Sequence, residues 1–402
     1  MKILTFGCRL NTFESAMINK IGHCMDDVIF VNTCAVTGEA ERQCRQAIRK
    51  VHREFPHMKI IVGGCAAQLH PEVYAAMPEV TRVLGNREKL VPEALFSSEK
   101  ILVGDIDTPA LWDLPIVSDF DGRVRAFLQI QQGCDHACTF CIVRQARGRN
   151  IGIKPQKVIE QARCFVENGF SEIVLTGVDI TSYPYGFNAL ISQLLTEVPN
   201  LKRLRLGSLD PACIDNEFIE LFKKFPALMP HIHLSVQAGD DLILKRMGRR
   251  HLRHQVIEIC QKLRQVRQDM VFGADIIAGF PTETEQHFIN TMSMVEEANI
   301  ALLHVFPYSI RPGTPAAKMP MVDVQIRKER ASRLRNLGQS LEAKLYDSLI
   351  GTTRSVLIER EGQGYTDNYL KVAVPSAKNI GEILSVKMIQ RRENELVGKT
   401  EI

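Results

Sequence analysis

The feature that most constrains the fold is a regular alternation of short apolar runs with helix-length segments. Over the first hundred residues the apolar runs fall at 3–6, 28–31, 60–62 and 82–84. Short apolar runs bounded by turn signals are typical of buried strands, and the segments between them are rich in Glu, Arg, Gln and Ala, which suits helices. Residues 1–100 are therefore predicted to form an α/β domain, a doubly wound parallel sheet covered by helices.

A second, larger alternation follows residues 101–123, which are turn-rich and are predicted to be a linker. Its strand-like runs are 126–131, 172–176, 203–206, 231–236, 271–276 and 301–306. These runs give about six β/α units, fewer than the eight of a closed barrel. Residues 124–322 are therefore predicted to form an open, partial (β/α)6 barrel, whose functional face is the carboxyl end of its strands.

The remaining chain predicts two smaller parts. Residues 323–344 carry a charged helical pattern and are interpreted as a connecting helix. Runs at 355–358, 369–374 and 383–387 alternate apolar and polar residues between Gly-rich turns. Residues 345–402 are thus predicted to form a small antiparallel β module, and small β barrels often bind nucleic acid.

Composition narrows the class of protein. A chain of 402 residues with 45% hydrophobic content is long enough for two or three domains with real cores. The formal net charge of +4 does not by itself indicate a polyanionic partner. No stretch approaches the ~18 continuous apolar residues of a membrane span, and the apolar run at the start is too short for a secretion signal. We therefore expect a cytoplasmic protein, in which the eleven cysteines stay reduced and clustered thiols more often bind metal.

Three cysteines follow the first predicted barrel strand at a distinctive spacing. Cys134, Cys138 and Cys141 leave three and then two residues between thiols. Such a group can hold an iron–sulfur cube through three of its irons and leave the fourth open to another molecule. A zinc site with His136 as a further ligand is the alternative. The short loop between Cys134 and Cys138 leaves His136 little room to reach the same metal.

Three other cysteines occupy matching positions in the N-terminal domain. Cys8, Cys34 and Cys65 each follow the carboxyl end of a different predicted strand. Because open parallel sheets bind ligands beyond the carboxyl ends of their strands, we expect these thiols to converge on one point. The alternative is three ordinary buried thiols, since free cysteine is commonly buried.

These motifs resemble those of a known family. The spacing of Cys134, Cys138 and Cys141 after a first barrel strand is similar to that of the radical S-adenosylmethionine (SAM) enzymes. Residues 7–11, 32–36 and 64–68 resemble the three N-terminal cysteine motifs of the methylthiotransferases. Residues 133–135, 146–149, 244–251 and 306–309 extend the match over essentially the whole chain.

The resemblance implies a division of labour between two 4Fe-4S clusters. Cys134, Cys138 and Cys141 hold the cluster whose open iron binds SAM, which is cleaved to a radical that removes hydrogen from adenine carbon 2. The triplet Cys8, Cys34 and Cys65 holds an auxiliary cluster that delivers sulfur. The resemblance also implies tRNA, a reducing electron donor and a sulfur source as partners, and a short TRAM-like C-terminal module. No catalytic acid or base is assigned, because this C–H bond is not cleaved by proton transfer.

Candidate SAM contacts are predicted from position at the strand ends. They are Gly177, Asp179, Ser208, Gln237, Arg249, Gly279 and Phe306. Arg249 is interpreted as a partner of the cofactor carboxylate, and a contact with a tRNA phosphate is the alternative for this residue.

The motifs at residues 32–37 and 177–183 most resemble the branch of the family that acts on N6-threonylcarbamoyladenosine beside the anticodon. The alternatives within the family are isopentenyladenosine in tRNA and an aspartate of a ribosomal protein. The alternative from another class is a zinc-stabilised RNA-binding protein without catalysis.

Overall fold

A computed structural model describes residues 1–107, 115–120 and 122–401 of the chain. The N-terminal part is a five-stranded parallel sheet. Its strands are β1 (Lys2–Thr5), β2 (Val28–Thr33), β3 (Lys59–Gly64), β4 (Arg82–Leu84) and β5 (Ile101–Leu102). Its helices are α1 (Arg9–Ile21), α2 (Gly38–Glu54), α3 (Cys65–Leu69), α4 (Pro71–Ala75) and α5 (Pro92–Phe96), with a 3-10 turn at Glu88–Leu90.

Helices cover both faces of this sheet. In β2, Phe30 packs with Ile18 of α1, whereas Val31 on the opposite face packs with Ile48 of α2. This confirms the predicted α/β unit. The strand order in the described sheet is β1-β2-β3-β4-β5. In a doubly wound sheet the strand order changes direction part-way across, and the ligand crevice lies at that point. The described sheet has no such change of direction. Each connection moves the chain to the adjacent strand, so the loops after β1, β2 and β3 are neighbours.

The central part, called here the half-barrel, runs from Arg125 to Pro307. Its strands are β6 (Arg125–Gln129), β7 (Gln131–Gln132), β8 (Ile151–Gly152), β9 (Glu172–Thr176), β10 (Arg203–Leu206), β11 (Ser208–Leu209), β12 (His231–Gln237), β13 (Val271–Ala278) and β14 (Leu302–Pro307). Its helices are α6 (Val143–Arg147), α7 (Pro155–Glu167), α8 (Phe187–Glu197), α9 (Asn216–Lys224), α10 (Asp241–Met247), α11 (Arg253–Val266) and α12 (Glu285–Glu297). Short 3-10 turns lie at Ile180–Ser182 and Pro211–Cys213.

Two parallel sheets meet edge to edge in the half-barrel. One has the order β10-β9-β6 and the other the order β11-β12-β13-β14. Strands β10 and β11 are interrupted only at Gly207, so residues 203–209 join the two sheets into one open wall. This confirms the predicted partial barrel. The strand predicted at 126–131 ends at Gln129, and Gln131–Gln132 instead pairs antiparallel with β8.

The C-terminal part begins with α13 (Val324–Ser348). Ala331 and Leu334 of this helix pack into the core of the half-barrel. The described helices, including the 25-residue α13, are too short or too polar to cross a membrane.

A closed five-stranded barrel follows α13. Its strands are β15 (Thr353–Arg360), β16 (Gln363–Thr366), β17 (Lys371–Ala373), β18 (Ile383–Arg392) and β19 (Glu395–Thr400), closed in the order β15-β16-β17-β19-β18. The sequence predicts antiparallel pairing throughout, but β17 and β19 pair in parallel. A closed ring of five strands cannot alternate direction all the way round, so one neighbouring pair must be parallel.

The predicted linker, residues 101–123, is more ordered than its turn-rich sequence suggests. Ile101–Leu102 form the edge strand β5. Val117 and Phe120 are 2% and 3% exposed and belong to the core of the half-barrel. The amide side chain of Gln161 on α7 bonds both the N–H and the carbonyl of Val117, at 2.7 and 2.6 Å. Residues 108–114 and 121 of the predicted linker lie outside the described residues.

Candidate active site

The loop that carries Cys134, Cys138 and Cys141 leaves the half-barrel wall just after β7. It starts with a tight turn, in which Gly133 has φ +71° and the Cys134 N–H donates to the Gly148 carbonyl at 3.0 Å. A Cβ atom on Gly133 would lie 1.8 Å from the Arg149 carbonyl oxygen, so only glycine fits. The end of α10 holds the far side of the loop, because Thr139 donates from its N–H to the Met247 carbonyl at 2.9 Å.

Backbone donors face the sulfur atoms of this triplet. The N–H of His136 lies 3.4 Å from the Cys134 sulfur, and the N–H of Val143 lies 3.4 Å from the Cys141 sulfur. Burial, together with the charge of neighbouring acidic groups and thiolates, raises the pKa of Cys134 to about 12. The three thiols are therefore close enough to oppose each other's ionisation, and a bound cationic group would relieve that repulsion.

The second triplet lies on the three adjacent loops after β1, β2 and β3. Asn11 ties two of them together by donating from its side-chain amide to the carbonyls of Phe6 and Thr33, at 2.7 and 3.0 Å. The Thr33 hydroxyl ties in the third, since it donates to the Gly63 carbonyl at 2.6 Å and accepts from the Ala67 N–H at 3.2 Å. The loops that carry Cys8, Cys34 and Cys65 are thus cross-linked, as expected for a shared site.

The thiols of this triplet differ in exposure. Cys8 is exposed at the N-terminus of α1, whereas Cys34 and Cys65 are 5% and 9% exposed. Gly7 allows the first two loops to approach, because a Cβ atom there would lie 2.7 Å from the Cys34 sulfur. Burial raises the pKa of Cys34 to about 12, and the negative charge of ionised Cys65 and Cys8 adds to the effect.

His136 lies closer to the first triplet than its short loop suggests. Cys134, His136 and Asp179 each place a ligand atom within 4.8 Å of the others, because Asp179 holds the His136 ring at 3.0 Å. The expectation that His136 has little room to reach a metal at Cys134 is therefore wrong. A 4Fe-4S cluster would instead bind each of the three thiolates through a different iron.

The two triplets are connected by one buried arginine, Arg147 at the end of α6. Its Nε lies 3.2 Å from the Cys65 sulfur. Its terminal nitrogens donate to both oxygens of the Glu14 carboxylate at 2.7 and 3.0 Å, and to the side-chain carbonyl of Asn11 at 2.5 Å. Arg147 follows Cys141 by only six residues, so the chain leaving the first triplet contacts the second directly.

A buried lysine completes this network. The Lys89 ammonium lies 2.6 Å from Glu14, and both side chains are fully buried. Burial opposes ionisation of Glu14, but Arg147 and Lys89 hold the pKa of this carboxyl below its usual value. Burial lowers the pKa of Lys89, and the charge of Glu14 opposes this effect. The Arg147 guanidinium contacts both Glu14 and the Cys65 sulfur, so the network adjoins the position of a predicted cluster ligand.

The predicted SAM contacts separate into groups in the structure. Gly177 and Asp179 lie beside the first triplet, where Gln131 Oε1 accepts from the Asp179 N–H at 2.9 Å. Asp179 accepts from Thr181 and Ser182 at 2.6 and 2.7 Å and holds His136. This side chain therefore shapes the wall beside Cys134.

Arg249 lies against the same triplet. Its guanidinium is 3.7 Å from the Cys138 sulfur and donates to Asp210 and to the Ser235 carbonyl at 3.0 and 2.7 Å. Its Nε is buried without a hydrogen-bond partner among the described residues. Arg249 thus lies at the first triplet, and its pairing with the SAM carboxylate stays a prediction.

The other four predicted contacts are spread along the strand ends. Gln237 ends β12 with φ +73°, beyond an irregularity in the pairing of β12 with β13. Ser208 and Phe306 are exposed on the wall of the half-barrel. The Gly279 N–H donates to the Glu283 carboxylate at 3.2 Å, and a Cβ atom there would meet Arg327 of α13 at 2.3 Å. The next residue, Phe280, packs against Phe140 of the cysteine loop, with ring centroids 6.4 Å apart.

Sequence reasoning missed Arg147, Glu14 and Lys89 as functional residues. Arg147 stands in the motif 146–149, which marks it as notable, but its contact with Glu14 spans 133 positions of sequence. Glu14 and Lys89 lie within ordinary helical patterns. One signal in the sequence could have identified Glu14, because it is a charged residue on the apolar face of α1, among buried residues.

Comparison with known families defines the class of protein. Residues 128–295 match the family model described as the Radical SAM superfamily. Residues 1–85 match the model described as Uncharacterized protein family UPF0004. The half-barrel with its Cys134 loop is thus a radical SAM domain preceded by a second family module.

Full-length relatives make the assignment narrower. Threonylcarbamoyladenosine tRNA methylthiotransferase MtaB of Rickettsia prowazekii is 47% identical over 397 residues, covering 96% of this chain and 94% of the relative. The protein of the same name in Bacillus subtilis is 35% identical, covering 96% and 93%. A tRNA-2-methylthio-N(6)-dimethylallyladenosine synthase of Roseobacter denitrificans is 31% identical, covering 99% and 98%. The chain belongs to the radical SAM methylthiotransferase family, an enzyme family that uses 4Fe-4S clusters and SAM.

A solved structure agrees at the level of the fold. The radical SAM methyltransferase TsrM of Kitasatospora setae, with cobalamin and a [4Fe-4S] cluster bound, superposes with a TM-score of 0.54. The match covers 77% of this chain and 69% of that one at 13% identity. At that identity the likeness supports the fold alone.

Proposed function

We propose that this protein inserts a methylthio group at carbon 2 of N6-threonylcarbamoyladenosine beside the anticodon of tRNA, using SAM and two 4Fe-4S clusters. The observation that carries the proposal is the joining of two cysteine triplets by Arg147, which follows Cys141 in the chain and contacts Cys65. The choice of nucleoside is supported by the 47% identity to a relative named for that nucleoside, against 31% for a dimethylallyladenosine synthase.

The first triplet, Cys134, Cys138 and Cys141, holds the radical cluster in this proposal. A 4Fe-4S cluster one thiolate short of full coordination supplies an open iron that binds SAM and the electron for its reductive cleavage. The chain stabilises thiolate charge at this site through the N–H groups of His136 and Val143. Arg249, anchored by Asp210, directs its remaining donors toward the cofactor carboxylate.

The second triplet, Cys8, Cys34 and Cys65, holds the auxiliary cluster. Cys34 and Cys65 are buried, whereas Cys8 is exposed. Arg147 donates to the Cys65 sulfur at 3.2 Å and thereby fixes the position of this ligand. A low-potential electron donor and a source of sulfur are further requirements of this chemistry. A tRNA substrate implies that the protein acts in the cytoplasm.

Nucleoside mass spectrometry of tRNA from a deletion strain tests this function. The 2-methylthio form of threonylcarbamoyladenosine should disappear, and the unmethylthiolated nucleoside should accumulate in its place. Expression of the wild-type chain should restore the mark, and a Cys134→Ala variant should not. Loss of the methylthio mark from isopentenyladenosine instead, with threonylcarbamoyladenosine unaffected, would identify the other nucleoside as the substrate.

A further inference from the structure

A polar cluster lies on the concave face of the half-barrel, separate from both cysteine triplets. It consists of His233 on β12, Asp275 on β13 and His304 on β14, which are adjacent parallel strands. Alternate residues of a strand point to opposite faces, and the residues that alternate with these three, such as Leu234 and Ile276, are buried in the core. The cluster therefore faces the open interior of the wall.

The cluster is closed at one end and open at the other. His233 is 12% exposed, Asp275 is 24% exposed and His304 is 63% exposed. His233 Nε2 and His304 Nδ1 approach the same Asp275 oxygen, at 3.1 and 3.4 Å. This arrangement directs His304 Nε2, the nitrogen on the far side of the ring, away from Asp275. The open end of the cluster thus presents an imidazole nitrogen to solvent.

The position of His233 is built into the backbone. His233 pairs with Gly273 on the next strand, and a Cβ atom on that glycine would lie 2.6 Å from His233 Nδ1. Any larger residue at position 273 would displace the ring. Burial opposes ionisation of Asp275, but the two imidazoles hold the pKa of this carboxyl well below its usual value. Asp275 therefore stays ionised and attracts both rings by its charge, although His233 Nε2 lacks hydrogen-bond geometry toward it among the described residues.

The surroundings of the cluster carry positive charge. Burial, followed by the charge of Arg205, holds the pKa of His231 far below its usual value, and Arg9, His233 and His304 contribute in the same direction. Arg205 is paired with Glu172 at 2.8 Å. Arg9 has no carboxylate partner in the part of the chain that the structure describes; it donates to the Tyr369 hydroxyl at 3.3 Å. One uncompensated guanidinium therefore faces the same interior.

The cluster is linked to the first triplet through β12. Ser235 is two residues beyond His233 on the same strand, roughly 7 Å along it. The Ser235 carbonyl binds Arg249, whose guanidinium is 3.7 Å from the Cys138 sulfur. Arg9, whose charge acts on His231 together with that of His304, is the residue next to Cys8. The surroundings of the cluster are therefore connected to both triplets.

We propose that His304, as an imidazolium that donates from Nδ1 to Asp275 and from Nε2 to the ligand, binds the carboxylate of the threonyl group of the substrate together with Arg9, and that Asp275 and His233 position His304. This inference rests on the proposed function, because it takes threonylcarbamoyladenosine as the substrate. That nucleoside carries a carboxylate and a hydroxyl on its N6 substituent, whereas an isopentenyl group carries no acceptor. A site of this kind favours the carboxylate over an apolar analogue, because the apolar group gains no charge-assisted hydrogen bond there.

The same three side chains resemble a two-histidine, one-carboxylate metal site, because their ligand atoms lie within 4.8 Å of one another. The uncompensated charge of Arg9 opposes a further cation on this face. The charge on this face therefore favours an anionic ligand over a metal ion. The test includes a measurement of metal content, which distinguishes the two.

The test compares three anticodon stem-loop RNAs, which carry threonylcarbamoyladenosine, its threonyl methyl ester or isopentenyladenosine. We expect the wild-type enzyme to prefer the free acid. His304→Phe should lower kcat/KM for the free acid by about 10- to 100-fold, mostly through KM, because one charge-assisted hydrogen bond is lost. Its activity on the ester should change little, so that the preference collapses. His57→Phe, an exposed histidine in the N-terminal domain, is the matched control and should behave as wild type.

Iron and sulfide content equal to wild type establishes that His304→Phe is folded and loaded. An unchanged preference for the free acid in that variant overturns the inference while leaving the proposed function intact. One equivalent of zinc or manganese, held by wild type and lost in His304→Phe, overturns it in favour of a metal site. A wild-type enzyme that acts on the isopentenyladenosine RNA and not on the free acid contradicts the proposed function itself.

Discussion

Arg147 is the residue through which the two cysteine sites depend on each other. It is fully enclosed by groups from both sides of the domain boundary, with Glu14 and Cys65 on one side and its own helix, α6, on the other. Removing one partner of a buried charge pair leaves the other charge without compensation, which costs more than the pair itself contributes. The effect of mutating Arg147 should therefore extend beyond α6.

We predict that Arg147→Met lowers the free energy of unfolding by about 3 to 5 kcal/mol, because Glu14 is left buried beside Lys89 alone. It should also lower the iron bound by the Cys8 triplet. Arg149→Met is the matched control, since Arg149 is exposed in the same motif and should cost little. Anaerobic denaturant unfolding and iron analysis measure both effects. Equal stability and iron content of the two variants would contradict the role of Arg147.

Gly133 and Gly169 allow a second comparison between single residues. Both have positive φ values, +71° and +89°, but only Gly133 is crowded, with a carbonyl oxygen where a Cβ atom would stand. Gly169→Ala should cost about 1 kcal/mol of stability, from backbone conformation alone. Gly133→Ala should in addition displace the Cys134 loop and abolish reductive cleavage of SAM. Deoxyadenosine formation with dithionite as reductant measures this, and full activity of Gly133→Ala would refute the packing argument.

At the scale of elements, the amino ends of the half-barrel strands are fastened to the C-terminal barrel by charges. Glu172 at the start of β9 pairs with Arg205 at 2.8 Å and lies near Arg203 and Arg125. Arg125 in turn pairs with Glu359 of β15 at 2.6 Å. Since Glu172 is 1% exposed, its charge is compensated only while these arginines surround it.

This arrangement predicts an acid sensitivity. Burial opposes ionisation of Glu172, but Arg205 and its neighbours lower the pKa of this carboxyl to about 2. Because the folded-state pKa lies below the ordinary value of 4.5, the stabilisation is complete above pH 4.5 and is lost as the pH falls toward 2. The loss should be roughly 3 kcal/mol. Urea unfolding measured between pH 4.5 and 2 gives the free energy of unfolding as a function of pH. This free energy should fall less steeply with pH in Glu172→Gln than in wild type. Glu160→Gln, at an exposed position, should show the wild-type dependence.

Elements whose role is set by local pattern were predictable. Cys8, Cys34 and Cys65 could be placed together because each follows a strand directly, and parallel strands present their carboxyl ends at one edge. The short strands β16 and β19 were missed, because Gln363–Thr366 and Glu395–Thr400 contain glycine and few apolar residues. Their place in the sheet comes from closing the barrel, which a local pattern does not contain.

Contacts between distant elements were not predictable. The approach of Arg147 to Cys65 spans 82 positions and depends on how two domains pack. Gly279 follows a strand as predicted, but its close approach to Arg327 depends on where α13 packs. The cluster of His233, Asp275 and His304 likewise requires the register of three strands. Sequence pattern gives the strands, and the register then decides which side chains meet.

At the scale of the whole molecule, the two triplets should be separable in function. We predict that replacing Cys8, Cys34 and Cys65 together with alanine leaves deoxyadenosine formation detectable while methylthiolation stops. Replacing Cys134, Cys138 and Cys141 should abolish both. Product analysis on the same RNA measures the two activities side by side. Loss of SAM cleavage in the first variant would show that the roles of the triplets are not divided in this way.

The network around Arg147 also limits how such an enzyme can diversify. Glu14 and Lys89 come from one domain and Arg147 from the other, and each is compensated only in the presence of its counterpart. If one domain were replaced by a copy that lacks these charged partners, a charged side chain of the other domain would be buried without compensation. Chimaeras between relatives should therefore fold only when both sides of this contact are exchanged together.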